Sequence, residues 1–583
     1  MNHLILPMML LIPALGGALV FMLPRRAART TGPLAFAISC LPAILGIGLL
    51  CRFHYAHGRQ WQEAFVYNWM PQFGVKFSLG VDAISLWLTM LAVVIMPLAI
   101  LDSFDKIHHR QNEFYGWMLL LYASMIGVFC AHDVLLFYLF FEFTLIPTFF
   151  IIGVWGHAER RRAAGKFFLY AFSGSVLLLA SLIYLAWVHQ EKFGSFSFSL
   201  TGLYQAGRSL SPWQQGLVFL GLLIGFAIKV PLFPLHTWMP LAITESPAPG
   251  AATIAGFKLG AYGLLRFALP MLPLAAQRFT PWLAALCVVS ILFGGLVSWV
   301  QHDMKKLVAY SVVSHLGLCV LAILALTTTG LIGGVMVMIN SGILAAALLL
   351  VMGMIYRRYH TRDLQELSGL ARRLPALGFF AVFFALGTAA VPGFNGFVSE
   401  ILSLVGTYVS GSPVHGGHLG PAYAIPAALG MILGALYMIY WVARVIFGPL
   451  VEPETQGESA PGHPPRQSKV PDLSLREWCI LTPLAALVLV LGIYPPPVLR
   501  SMQPAVNHIR SRVLAGDAAP KPKYFFKHER GAKEAVNSHQ GRQENGKMIV
   551  GKIRNDGMAC PDDYQNGPVA MKECSAIKPR FSK

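Results

Sequence analysis

The sequence predicts an all-α, polytopic membrane protein of about 14 transmembrane helices, with two related five-helix units and two interrupted helices. Three observations carry that expectation. Of 583 residues, 55% are hydrophobic and only 12% charged, with a mean hydropathy of +0.58, whereas soluble domains carry about a quarter charged residues. Apolar runs of roughly 20 residues, enough helix to cross a bilayer core, recur along most of the length. Loops rich and poor in Lys and Arg alternate, as cytoplasmic and opposite-side loops do.

In chain order the apolar runs are roughly 4–23, 33–51, 80–101, 114–130, 133–155, 166–187, 213–229, 250–270, 280–300, 307–326, 330–355, 376–404, 423–447 and 477–495. Within hydrocarbon a backbone must satisfy its own hydrogen bonds, so each run reads as helix. The first, "LILPMMLLIPALGGALVFML", lacks a basic leader and a small-x-small cleavage site, and reads as a retained span. The expected organisation is 1–113 for three N-terminal helices, 114–273 and 280–447 for the two five-helix repeats, and 477–495 for the last span. Residues 496–583 are polar and mixed in charge, and read as a loosely ordered C-terminal tail.

The formal charge of +18 raises nucleic acid as a partner. Its distribution argues against that. The segments "PRRAART", "DKIHHR", "ERRRAAGK", "HDMKK", "RRYHTRDLQELSGLARR" and "PPRQSK" hold 18 Lys and Arg, and the alternate loops hold 6. The basic loops therefore face the cytoplasm, and the charge reports topology in a lipid bilayer. The eight cysteines are scattered without a C-x-x-C, which disfavours a metal cluster or a disulfide framework. No cofactor site of this chain's own is expected: the spans hold no cysteine cluster, paired haem histidines or nucleotide loop.

Against this background five ionisable residues stand out at bilayer depth: Glu142, Lys229, Lys258, His315 and Glu400. A charge there costs roughly 2.5–3.5 kcal/mol on insertion scales, and such residues usually face the bundle interior and serve function. Together they cost on the order of 10 kcal/mol, comparable with the stability of a whole domain. The bland alternatives are a snorkelling Lys229, a neutral structural Glu142 and a packed His315. Prolines give an independent argument. Pro231, Pro234 and Pro240 follow Lys229, and Gly387, Pro392, Gly393 and Gly396 precede Glu400. Proline removes a donor and clashes with the preceding turn, so both segments are expected to be interrupted helices. Paired interruptions in two halves of a membrane protein mark transport sites. The spacings agree, with 87 residues from Glu142 to Lys229 and 85 from His315 to Glu400. A lysine and a carboxylate at this depth each favour the partner's charged form, so moving one releases or captures a proton. With histidine between them they form a relay.

The segments "LLFYLFFEFTLIPTFFIIGVWG", "GFAIKVPLFPLHTWMP", "QHDMKKLVAYSVVSHLG" and "VPGFNGFVSE" resemble the antiporter-like membrane subunits of proton-pumping NADH:quinone oxidoreductase, complex I. The wording "FEFTLIPTFF" is similar to the M type (the counterpart of mitochondrial subunit 4) and not to the L and N types. The resemblance runs over about residues 75–495. It implies fourteen helices with two inverted five-helix repeats and a polar axis that translocates protons, with Glu142, Lys229, Lys258, His315 and Glu400 as relay residues and His236 of "PLHTW" beside the first break. It also implies a multi-pass place in the bacterial inner membrane and L- and N-type chains as neighbours. NADH, FMN, iron-sulfur clusters and quinone would belong to partner subunits. A multisubunit cation/proton antiporter or a membrane-bound hydrogenase is the alternative, since both share this fold. A scaffold that has lost transport is a third reading. It draws on departures from the family pattern: Leu241, Ala242 and Ile243 stand where Asp-Ala-His is usual, the segment from Glu245 to Lys258 is two residues shorter, and Ser341 replaces a histidine. The tail has no counterpart in the resemblance.

Overall fold

The computed structural model describes residues 4–24, 28–412, 417–453 and 470–515. The polar sequence beyond 515 lies outside the described residues. Helices α1 (Ile5–Met22) and α2 (Ala28–Arg52) are followed by an antiparallel hairpin, β1 (Gln62–Met70) and β2 (Val75–Val81), with Tyr67 opposite Phe77. Gly74 turns the hairpin at φ +63°, and a Cβ there would collide with the Phe196 carbonyl. Next come α3 (Ala83–Asp102), α4 (Gln111–Cys130), α5 (Val134–Phe143), α6 (Leu145–Trp155), α7 (Arg160–Phe193), α8 (Leu200–Arg208) and α9 (Pro212–Lys229). A broken region holds α10 (Met239–Glu245), α11 (Ala248–Gly256), α12 (Leu259–Gly263) and α13 (Leu269–Met271). Then follow α14 (Pro273–Trp299), α15 (Met304–Leu324), α16 (Thr328–Tyr359), α17 (Pro375–Thr388), α18 (Asn395–Ser410), α19 (Pro421–Trp441), α20 (Leu475–Ile493) and α21 (Pro496–Leu514).

Among the described residues, 11 helices are long and apolar enough to cross a membrane, counting α5 with α6 as one. The expected count was about 14. The difference lies in three runs that do not form one long apolar helix. The run at 213–229 is α9, which opens on Pro-Trp-Gln-Gln and closes on Lys229, leaving a short apolar middle. The run at 250–270 is divided at Phe257–Lys258, and the run at 376–404 between Thr388 and Asn395. The chain is also interrupted at Thr144, between α5 and α6, where Pro147 in the first turn of α6 has no N–H for the Phe143 carbonyl.

Aspartates start several spans by accepting the amides that the first turn leaves without partners. Asp133 accepts from Leu135 and Leu136 at 3.0 and 3.2 Å to start α5. Asp303 accepts from Lys305 and Lys306 at 2.8 and 3.2 Å to start α15. Each follows a histidine, and each pairs as an isolated bridge with a distant loop, Asp133 with Ser199 and Asp303 with Asp363. The first bridge is on the Lys/Arg-poor side and the second on the basic side. One His-Asp cap therefore recurs on opposite faces, as inverted repeats require.

The centre of the bundle is α16, which is buried from Gly330 to Ile355, with α15 beside it. Gly342 of α16 lies against the Gly256 carbonyl, where a Cβ would come within 2.5 Å, so the broken region reaches the centre through a glycine contact. Outward faces carry exposed Leu169, Phe172, Ile425 and Ile432, the surface expected against lipid.

One expectation is corrected at the C-terminal end. The loosely ordered tail was to begin at 496, yet Pro496–Leu514 is helical. It buries Val498, Met502, Ala505, Val506, Ile509 and Val513, one stripe at helical spacing. Its arginines hide that stripe from an average over the window. Trp87 donates to Ser501 at 2.8 Å, Arg208 to the Arg512 carbonyl at 2.7 Å and Gln277 to the Val513 carbonyl at 2.8 Å, so α21 straps the Lys/Arg-poor ends of several spans. Val506→Asp buries an unpaired carboxylate in that seam and is expected to lower stability by about 2–4 kcal/mol. Thermal unfolding of the detergent-solubilised protein checks this; an unshifted transition means that α21 does not dock.

Candidate functional site: a buried ionisable axis

The site grows from helix breaks. At Thr144 the α5 ladder ends, and the Phe141 carbonyl accepts the Thr144 hydroxyl at 2.7 Å. Lys229, the last residue of α9, donates its Nζ to Thr144 Oγ1 at 2.8 Å and to the same Phe141 carbonyl at 3.4 Å. It also lies 4.5 Å from the Phe141 ring centroid. Glu142 is next in sequence, yet no ion pair within 4 Å joins it to Lys229 among the described residues. The groups facing its carboxylate are Lys229 and Ser175, and its Oε1 has no hydrogen-bond partner. The two expected partners are thus neighbours held apart, because the helix break gives the ammonium a carbonyl and a hydroxyl instead.

After Lys229 the chain leaves helical geometry until Met239. The Trp238 indole closes this gap by donating to the Ile228 carbonyl at 2.9 Å. His236 lies in the gap, buried, its ring 5.7 Å from Phe233, 5.2 Å from Phe293 and 6.3 Å from Tyr310. Its Nδ1 has no hydrogen-bond partner. Tyr310 belongs to α15, whose next residue, Ser311, begins the second group, so one helix passes both.

In that group Lys258 stands at the α11–α12 break, buried, with Nζ donating to the Ala255 carbonyl. Cys319 and His315 of α15 are its neighbours. His315 Nδ1 is 2.7 Å from the Ser311 carbonyl, and Nε2 is 3.2 Å from Glu400 Oε1. A carbonyl only accepts, so Nδ1 carries hydrogen. The Nε2–Oε1 contact then holds a single proton, on the imidazole or on the carboxyl. Ser311 Oγ is 2.8 Å from the Tyr437 hydroxyl. A small closed cavity beside the imidazole is lined by Ser311, Ser341 and Thr388 as its other polar residues. Ser341 donates to the Val337 carbonyl at 2.6 Å, one turn back in α16.

The structure therefore brings Lys258, His315 and Glu400 together and sets Glu142 beside Lys229, with His236 in the gap that follows α9. No hydrogen bond joins the two groups among the described residues. Sequence reasoning missed Thr144 and Tyr437, which look like ordinary residues of an apolar run. It also missed Asn340 and Asn395, fully buried at the α17–α18 break, where Asn340 donates to the Asn395 carbonyl at 2.7 Å. An asparagine next to Ser341 in a span was the available signal.

Comparison with known proteins points the same way. A family model described as NADH:quinone oxidoreductase/Mrp antiporter, TM, matches residues 131–439. The NADH-quinone oxidoreductase subunit M of Rhodobacter capsulatus is 39% identical over 443 residues, covering 75% of this chain and 82% of that one. The subunit M of Escherichia coli K12 is 32% identical over 531 residues, 89% of this chain and 100% of that one. A chain of respiratory complex I from Thermus thermophilus superposes with a TM-score of 0.75 at 28% identity, covering 88% of this chain and all of that one. A chain of the Mrp complex of Dietzia matches at 0.71 with 22% identity, which shows a shared fold alone. The chain belongs to the NADH:quinone oxidoreductase/Mrp antiporter family of membrane subunits.

Proposed function

We propose that this chain is a proton-translocating, multi-pass subunit of a bacterial inner-membrane NADH:quinone oxidoreductase. The single observation that carries the reading is the His315–Glu400 contact, which accommodates one proton on either partner deep inside an apolar bundle. Lys258 beside it changes the balance, since a nearby ammonium disfavours imidazolium and favours carboxylate. A proton then moves whenever Lys258 gains or loses its own. At the other group, Lys229 is tied to the Thr144 break and Glu142 lacks a counter-ion in contact. Lys229 swinging from Thr144 to Glu142 stabilises that carboxylate; swinging back returns it to the neutral acid. NADH, FMN, iron-sulfur clusters and quinone belong on this reading to partner subunits, and L- and N-type chains are the expected membrane neighbours. Residues of this chain bind, exclude water and move protons.

The antiporter reading rests on fold at 22% identity, while relatives at 32–39% identity over most of their length carry the oxidoreductase subunit name. Genes for NADH- and quinone-binding subunits beside this one decide between them; a compact antiporter cluster without them overturns the proposal.

Two sets of variants test the relay in the assembled complex, with NADH-driven proton uptake by inverted membrane vesicles as readout. Positioned proton-transfer groups contribute roughly 10²–10⁴-fold. Glu142→Gln and Lys229→Ala are each expected to lower pumping at least about tenfold, and wild-type rates in both would sink the assignment. Glu400→Gln and His315→Ala remove the same shared proton, so each falls by about tenfold or more and the double variant falls no further. Additive losses would show that the two act separately.

A further inference from the structure

A second lysine–carboxylate couple lies nearer the basic face, at the junction of α10 and α11. Lys305, the second residue of α15, is 2% exposed. Its Nζ donates to the Ser246 carbonyl at 2.8 Å, and no carboxylate comes within 4 Å of it among the described residues. Glu245, 6% exposed, accepts the Glu159 amide at 2.8 Å and likewise has no ion-pair partner among them. The charged groups around Lys305 are Arg362 from the loop after α16, Asp303 from its own cap, Lys106 from the end of α3 and Glu245 from α10. Three of these are already engaged: Lys106 pairs with Asp102 at 2.6 Å, and Asp303 and Arg362 pair with each other at 3.4 Å. Glu245 is the carboxylate left for Lys305.

On either side of Lys305 in sequence, Asp303 and Lys306 line an open cleft of about 600 Å³ together with His157, His302, His360, Arg362 and Asp363. Three loops of the basic face form it, and they are joined by backbone bonds from Met304 to Arg362 and from Leu364 to His302. Burial, and then the charges of Lys305 and Arg362, push His157 down to about 4. Its ring is neutral at cytoplasmic pH, so it adds no charge against the ammonium. Arg362 donates to the Thr244 carbonyl at 2.6 Å and His157 to the Glu245 carbonyl through its amide at 2.9 Å, which fixes the cleft to the helix junction.

We propose that Lys305 and Glu245 are a proton-loading pair, filled from the histidine-lined cleft and discharging into the α10–α11 junction. The arrangement repeats that of Lys229 and Glu142: an ammonium held by a carbonyl at a helix break, and a carboxylate close by without contact. In the transfer the Lys305 N–H bond breaks and a Glu245 O–H bond forms, giving a neutral amine and a neutral acid. A proton from the cleft then restores the ammonium, and Glu245 passes its own onward. From this junction α11 runs about 14 Å to the break that holds Lys258.

The inference rests on the proton-translocating reading above, and the test separates the two. Lys305→Arg keeps a cation and its donors to Ser246 O but does not release a proton at accessible pH. Glu245→Gln keeps an acceptor for the Glu159 amide. In inverted vesicles holding the assembled complex, either variant is expected to pump at about one tenth of the wild-type rate or less, and the pair together no lower than each alone. Wild-type pumping in Lys305→Arg, the result of a merely structural cation, overturns the loading pair. If Lys305→Arg fails to assemble, Glu245→Gln is decisive by the same criterion. Glu142→Gln and Lys229→Ala run alongside: their failure with Lys305→Arg intact removes only this inference, and their retention of pumping removes the parent reading.

Discussion

A main-chain carbonyl without a donor costs several kcal/mol where no water can reach it. Three breaks in this bundle create such carbonyls, and each is met by a lysine, half-buried at the first and buried at the other two: Phe141 by Lys229, Ala255 by Lys258 and Ser246 by Lys305. The lysine–carbonyl contact is therefore the interaction on which the rest depends. It lets the helices end inside the bundle, and it draws the ammonium groups away from the carboxylates that charge alone would have chosen for them. The result is a set of carboxylates, Glu142 and Glu245 among them, that lie near cations without touching them.

That separation is what makes the axis usable. A closed, desolvated ion pair is costly to break because it leaves an uncompensated charge. A lysine bonded to a carbonyl has given up less, and a small movement of the break changes which partner it meets. His315 and Glu400 are the exception, in direct contact, and there the device is a single proton shared between two bases. One helix, α15, touches all three places: it presents Tyr310 to His236, Ser311 and His315 to the second group, and Lys305 to the basic face.

The departures from the family pattern fall into this picture. Leu241, Ala242 and Ile243 lie in α10, with Thr244 between them and Glu245, so these three positions bring no titrating group to the junction. Ser341 shares a small cavity with His315 and Thr388. Its hydroxyl bonds back to its own helix, so it supplies lone pairs to that cavity and no titrating group.

Composition, loop charge and proline spacing were enough to specify an inward-facing set of ionisable residues on an all-helical, multi-pass chain, because hydrocarbon permits few backbones and few charges. The same reasoning located the breaks after Lys229 and before Glu400, where proline and glycine remove or loosen backbone bonds locally. It did not find the contact of Lys229 with Thr144, although Pro147 marks the break there, nor the docking of α21 or the burial of Lys305 against Ser246. Each of these is decided by a partner far along the chain: Lys229 for Thr144, Trp87 and Arg208 for α21, Ser246 for Lys305. Nor could it tell that Lys229 meets a carbonyl before a carboxylate. Sequence states which groups are costly to bury; only the packed fold decides which neighbour relieves the cost, since that depends on directions and distances of a few ångströms.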